Sequence, residues 1–174
     1  MKQNIIFFVG PDHTGKSNIS KELSRQLSIP YFKASNEHRC FLSDEKGFIK
    51  DLMHADPRVL DLLKQTGHSV IFDRGYSCEW VYSRDRNRET HDETIQFLDE
   101  GYAKLGATIV FCYRSSYEGI VDDLDPTIDS KRLKRLDELY REFLGNSQCS
   151  VCYLCVDGEN LKAQVKEIRE FLKC

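Results

Sequence analysis

Eight residues near the amino end carry the most chemistry: Gly10-Pro11-Asp12-His13-Thr14-Gly15-Lys16-Ser17. Their spacing, G-x-x-x-x-G-K-[ST], is that of a phosphate-binding P-loop. The glycines let the backbone curl so that successive N–H groups face a phosphate, and a helix starting behind the loop adds positive potential. Lys16 is placed to reach the β- and γ-phosphates of a triphosphate, and the Ser17 hydroxyl to ligate Mg²⁺. Triphosphate contacts are therefore predicted at Gly10, His13, Thr14, Gly15, Lys16 and Ser17. The alternative is a glycine turn that binds nothing, but a buried strand directly before the loop and an amphipathic helix directly after it are the context the motif needs.

A second pair, Asp73-Arg74, follows the apolar run 68–72. Ligands of open α/β sheets gather at the carboxyl edge of the strands, the edge that also bears the P-loop. There Asp73 suits a Mg²⁺-bound water, and Arg74 suits a phosphate gripped by its two-pronged guanidinium. The plainer reading is an ion pair that ends a strand. Charge developing on a phosphoryl group in flight calls for a mobile cation, for which Arg114, Lys131, Arg132, Lys134 and Arg135 are candidates. Against this, 131–135 reads equally as a solvated helix face balanced by Asp122, Asp123, Asp125 and Asp129. Arg84, Arg86 and Arg88 read first as a basic surface loop and second as the seat of a polyanionic acceptor. Phe41, Phe48, Tyr76, Trp80 and Tyr82 flank the presumed acceptor cleft. Tyr76 and Phe48 are the candidates to stack on a base.

These residues act together only if secondary structure brings them to one edge. Five apolar segments read as strands: 4–9, 29–33, 68–72, 108–113 and 150–156. The four longer ones are nearly all apolar, as strands covered on both faces are. Helical periodicity fills 16–27, 57–65, about 90–105, 129–144 and about 159–172. Asp56 and Pro57 mark one start, and Thr90-x-x-Glu93 is a capping box that marks another. Strand and helix alternate throughout, which predicts an α/β fold: a doubly wound, five-stranded parallel sheet with helices on both faces. No repeat or Pro-, Gly- or Ser-rich linker divides the chain, so 1–174 is read as one domain.

Composition narrows the class further. Lys plus Arg number 25 and Asp plus Glu 28, a net charge of −3, which argues against a dedicated nucleic-acid coat but leaves room for a local basic groove. With 40% apolar and 30% charged residues, the chain is neither a disordered tail nor a membrane protein. The run 5–9 is too short to cross a bilayer, and a cytoplasmic location is expected. Seven cysteines, an odd number, fit reduced thiols. Cys149-x-x-Cys152-x-x-Cys155 has a metal-like rhythm. In a strand, however, Cys152 and Cys155 point to opposite faces and cannot share one zinc.

On these residues the chain resembles thymidylate kinases and related phage deoxynucleotide kinases. The resemblance is carried by the loop with its acidic third residue, by Asp73-Arg74-x-x-Ser77-x-x-x-Val81-Tyr82, by Tyr113-Arg114, and by Leu139-Tyr140-x-x-Phe143-Leu144. It implies ATP and Mg²⁺ on the donor side and a deoxynucleotide as acceptor. It places Asp12 at the acceptor sugar and Arg74 at the acceptor phosphate. Tyr113-Arg114 then leads into a lid-like segment at about 114–132, and 157–160, with Asp157, lies near the adenine. Where the family carries Arg-Glu-Pro, this chain has Phe32-Lys33-Ala34-Ser35-Asn36-Glu37, which brings Glu37 to the acceptor.

Three functions are then in contention. The first is transfer of the ATP γ-phosphoryl group to a deoxynucleoside monophosphate, a dTMP-like pyrimidine favoured, which needs clamps and Mg²⁺ but no base. The second is transfer to a hydroxyl, of a deoxynucleoside or of a hydroxymethylpyrimidine free or within DNA, with Asp12, Glu37 or Asp73 as base. The third is a nucleotide-binding switch. Small-molecule nucleotides are the expected partners, DNA is a less favoured acceptor, no membrane is involved, and a homodimer is left open.

Overall fold

Strand β1 (Ile5–Val9) is buried at every residue, because it lies at the centre of the sheet with a neighbour on each side. A computed structural model describes residues 3–33, 57–120, 128–158 and 160–173. Along them follow α1 (Lys16–Leu27), β2 (Tyr31–Lys33), α2 (Pro57–Thr66), β3 (Val70–Asp73), α3 (Tyr76–Asp85), α4 (Asp92–Lys104), β4 (Thr108–Tyr113), α5 (Ser130–Asn146), β5 (Ser150–Cys155) and α6 (Leu161–Leu172). The sheet is five-stranded and parallel, in the order β2-β3-β1-β4-β5. This is the predicted architecture. No helix among the described residues is long and apolar enough to cross a membrane.

Alternation along β1 divides the interior in two. Ile5, Phe7 and Val9 face a core shared with Leu60, Tyr76, Leu98, Tyr102, Leu136 and Tyr140. Ile6 and Phe8 face a second core with Ile19, Leu23, Val165 and Ile168 of α1 and α6. Phe7 anchors the first: it stacks on Phe72 at 5.0 Å and meets Tyr102 and Tyr76 edge-on at 4.8 and 5.3 Å. In register, Phe8 pairs with Asp73, and the Arg74 amide donates to the Phe8 carbonyl at 2.9 Å. The ends of β1 and β3 are thereby level. With β3 and β4 flanking β1, their exits form the crevice where such sheets hold ligands.

Three elements depart from the sequence reading. Helix α3 was not predicted, because six of its ten residues are buried and no polar stripe marks a helical period. The segment 150–156, read as covered on both faces, forms an edge strand, with Tyr153 and Cys155 exposed and Cys152 and Leu154 buried. The Thr90–Glu93 capping box does not form. Helix α4 starts at Asp92 with His91 as an N-cap that makes no side-chain bond, while the Thr90 hydroxyl accepts from Arg84 at 3.4 Å. Asp92 and Glu93 in the first turn instead complement the helix dipole. Asp56, the predicted cap of α2, and 121–127 of the lid-like segment lie outside the described residues.

Candidate active site

The loop between β1 and α1 is shaped by two glycines with positive φ, the first of them closed to other residues. Gly10 has φ +136°, and a Cβ there would stand 2.1 Å from the Cys112 carbonyl oxygen on β4. Gly15, at φ +68°, is the N-cap of α1. It offers no side-chain cap, and the first turn holds no acidic residue, so the positive end of the helix is left for an anion. Lys16 is buried and donates to the Pro11 carbonyl and to Thr14 Oγ1 (3.1 Å). Burial, and after it the nearby Arg74, lower its proton affinity, while Asp12 acts in the opposite sense. The Thr14 hydroxyl donates to the Pro11 carbonyl at 2.8 Å, and Arg114 Nε to the His13 carbonyl at 2.9 Å, bracing the loop from the exit of β4.

At the end of β3, Asp73 and Arg74 diverge. Asp73 is buried, and its Oδ2 accepts from Ser17 Oγ (2.6 Å) and Tyr31 OH (2.8 Å), with Lys33 Nζ at 3.5 Å. Burial alone would raise its pKa, but Ser17, Tyr31, Lys33 and Lys16 outweigh it and hold the carboxylate ionised. Arg74 leaves the strand at φ +86°, a strained backbone for a non-glycine residue and a cost of about 1–3 kcal/mol. Its Nη2 donates to Asp12 Oδ1 (2.8 Å) and its Nη1 to Tyr82 OH (3.0 Å), while Tyr82 OH donates to Asp12 Oδ2 (3.0 Å). The three close a ring of hydrogen bonds between the P-loop, the β3 exit and α3. Burial raises the Asp12 pKa, but Arg74, Lys16 and Tyr82 bring it far below the carboxylate range.

No family model matches the chain, and no curated protein matches its sequence. Solved structures match it over 97–98% of its length. A thymidylate kinase from Ehrlichia chaffeensis aligns with 98% of this chain and 99% of its own at TM-score 0.66 and 14% identity. The YorR protein of Bacillus subtilis, in complex with phosphorylated GDP, aligns over 97% and 95% at TM-score 0.64 and 19% identity. A deoxyadenosine kinase from M. mycoides with bound dATP aligns over 98% and 100% at 0.60 and 19%. The chain has the P-loop kinase fold. At these identities the shared property is the fold.

Within this P-loop kinase fold, Gly10, Asp12, His13, Thr14, Gly15, Lys16, Ser17, Asp73, Arg74 and Arg114 come together around the ends of β1, β3 and β4. Asp157 sits at the exit of β5, where its carboxylate accepts from the Ser115 amide (3.1 and 3.3 Å) and is held below its ordinary pKa by Ser115. Tyr76 does not join them, and its expected stacking on a base is corrected. It is fully buried, stacks on Tyr102 at 5.4 Å and donates to Asp99 Oδ1 at 2.6 Å, so no face is left for a ligand. Trp80 likewise faces away, against Phe143 (5.5 Å) and under the Arg84 guanidinium (3.6 Å). Glu37, Phe41 and Phe48 lie outside the described residues.

Tyr31 and Lys33 had no part in the predicted site, and Tyr82 was expected only as an aromatic flanking the acceptor cleft; all three belong to the site's geometry. Tyr31 and Lys33 carried a signal, since residues two apart on a strand share a face, and Lys33 pairs in register with Asp73. For Tyr82 the expectation of a cleft aromatic did not include its bonds to Arg74 and Asp12, which depend on α3 returning position 82 to Arg74. Among the lid cations, Arg132 is committed to Asp85 at 2.9 Å, and Lys131 and Lys134 are exposed.

Proposed function

We propose that the protein is an ATP-dependent phosphotransferase acting on a deoxynucleoside monophosphate, with a dTMP-like pyrimidine favoured. The observation that carries this reading is the Asp12–Arg74–Tyr82 ring. It sets a guanidinium beside the P-loop and ties up both oxygens of the adjacent carboxylate. A hydroxyl acceptor needs a carboxylate ready to take a proton, whereas Asp12 and Asp73 are both hydrogen-bonded and both held below their ordinary pKa. A phosphate acceptor is already an anion. It needs a clamp, which Arg74 supplies once the acceptor competes with Asp12 for its donors.

In the transfer, an oxygen of the acceptor phosphate forms a bond to the γ-phosphorus as the bond to the β–γ bridging oxygen breaks and ADP departs. Lys16 exchanges Pro11 and Thr14 for phosphate oxygens and follows the charge as it moves to the leaving group. Ser17 and Asp73 are the residues that would hold Mg²⁺. Their oxygens are hard donors, and the Lys33 ammonium within 2.9 Å of Ser17 Oγ and 3.5 Å of Asp73 Oδ2 marks the pair as a seat for positive charge. The ion supplies charge neutralisation of the triphosphate.

The test is transfer of labelled γ-phosphate to deoxynucleoside monophosphates, deoxynucleosides, and DNA with plain or hydroxymethylated pyrimidines. Label on a monophosphate supports the reading. Label on a nucleoside or a hydroxymethyl group overturns it in favour of a base, and ATP hydrolysis without any acceptor overturns it in favour of a nucleotide switch.

A further inference from the structure

Lys33 has no task in the transfer as written, yet its ammonium stands at the centre of the site. It closes β2, the edge strand, and pairs in register with Asp73 of β3. Lys33 Nζ donates to Ser17 Oγ at 2.9 Å and lies 3.5 Å from Asp73 Oδ2, an ion-pair distance rather than a hydrogen bond. Ser17 in turn donates to Asp73 Oδ2 at 2.6 Å, and Tyr31 OH donates to the same oxygen at 2.8 Å. A hydroxyl has a single proton to give. With that proton spent on Asp73, what Ser17 offers Lys33 is a lone pair, the electrons that a hard cation takes. The ammonium is thus held by the same two side chains that would hold Mg²⁺.

The two partners of this contact are unequally bound to it. The Asp73 side chain is only 3% exposed, and an ionised carboxylate so buried needs positive charge beside it. Lys33 does more than Lys16 to keep it ionised. The Lys33 side chain is 39% exposed on a flexible four-carbon stem, so it can leave for water. An ion bonded to Ser17 Oγ would crowd like charge against the ammonium, and the two exclude each other. A bare divalent ion has only Ser17 and Asp73 with which to win this exchange. An ion that arrives on a triphosphate brings phosphate oxygens with it, the ligands Mg²⁺ keeps in such sites. We propose that Lys33 is a resident stand-in for the metal: its ammonium fills the Ser17–Asp73 seat while the protein is empty, keeps divalent ions out, and yields to an ion delivered with a nucleotide. The inference rests on the reading of Ser17 and Asp73 as the metal seat and not on the identity of the acceptor.

Mn²⁺ is the probe, followed by electron paramagnetic resonance with and without adenosine 5′-(β,γ-imido)triphosphate. Without nucleotide, the unaltered protein is expected to bind Mn²⁺ about tenfold more weakly than K33M. K33R, which keeps the charge, should exclude the ion as the unaltered protein does, and K33M/D73N should lose the site that K33M gains. Calorimetry with the imido nucleotide gives a second measure. The gain in nucleotide affinity on adding Mn²⁺ should be about tenfold larger in K33M than in the unaltered protein. This ratio decides where no empty protein binds the ion measurably. An equal gain in the two proteins overturns the proposal and leaves the metal seat standing. A smaller gain in K33M also overturns it, and makes Lys33 a partner of the metal–nucleotide complex. No gain in either protein discards the seat and the proposal together. Failure of label transfer to a monophosphate, with the Mn²⁺ results as expected, discards the acceptor reading alone and keeps the proposal. Thermal melting checks the fold of each variant, and the recovery of exclusion in K33R separates lost charge from lost structure.

Discussion

Lys16 rests on its own loop through Pro11 and Thr14, buried and lowered in proton affinity despite Asp12, and on the proposed reading it turns to the phosphates of the donor. Lys16→Ala should therefore lower kcat/KM for transfer by about 10²–10³-fold, the scale of losing one strong electrostatic donor. Retained activity, in an assay with melting as the folding control, would remove the loop from the chemistry. Arg74→Ala should raise the acceptor KM with ATP affinity nearly unchanged. Titration of ATP binding checks the division of labour, and a collapse there would contradict it. Asp12 also makes a prediction in pH. Its folded pKa lies below its unfolded one, so the stability it contributes is complete above about pH 4 and drains away as pH falls towards the folded value. Asp12→Asn lacks this contribution and leaves Arg74 short of a partner. The melting temperature of the variant should lie below that of the parent at pH 7, with the gap narrowing on acidification. A gap constant from pH 7 to pH 3 would deny the coupling.

At the scale of elements, legibility followed local pattern. The P-loop, the strands before and after it and the amphipathic helices announce themselves by spacing, because each is decided by neighbours within a turn or two. Helix α3 does not, since it lies between α4 and α5 and is buried nearly all round, and with it went the places of Tyr76 and Tyr82. An aromatic side chain at a cleft edge and one in a core look alike in sequence. What separates them here is that Tyr76 opens α3 and points onto Phe7. Tyr76→Phe should thus cost about 1–3 kcal/mol, from the lost bond to the buried Asp99 carboxylate, with acceptor KM unmoved. Denaturant melts and steady-state kinetics on the same sample read the two effects apart. The tight approach of Gly10 to β4 gives a harsher case. In Gly10→Ala a methyl group meets the Cys112 carbonyl at a φ of +136°, and the loss of ATP binding should accompany a clear fall in melting temperature.

For the molecule as a whole, the parallel sheet and its two covering layers were readable from the alternation of strand and helix, whereas the exposed face of β5 was not. Nothing in a run of apolar residues says that it will stand last in the sheet. The thiols report this arrangement. Cys112, Cys149 and Cys152 are pushed up by burial to about 12, 11 and 11, and Cys78 is raised as well, while Cys155 lies on the exposed side of the edge strand. Among these five, Cys155 should react first with a thiol reagent at neutral pH, the others only on unfolding, as peptide mapping by mass spectrometry can follow.

The two interiors have a further consequence. Helix α1, which opens at the phosphate loop, packs with α6 in one layer, and α3, which opens beside Arg74, packs with α4 and α5 in the other. Strands β1, β3 and β4 face both. On the proposed reading, the layer around Tyr76 and Phe143 can be reworked beneath the acceptor while the layer of α1 and α6 behind the P-loop is kept. On that reading, change in the acceptor proceeds on one side of the sheet and constancy of the donor site is kept on the other.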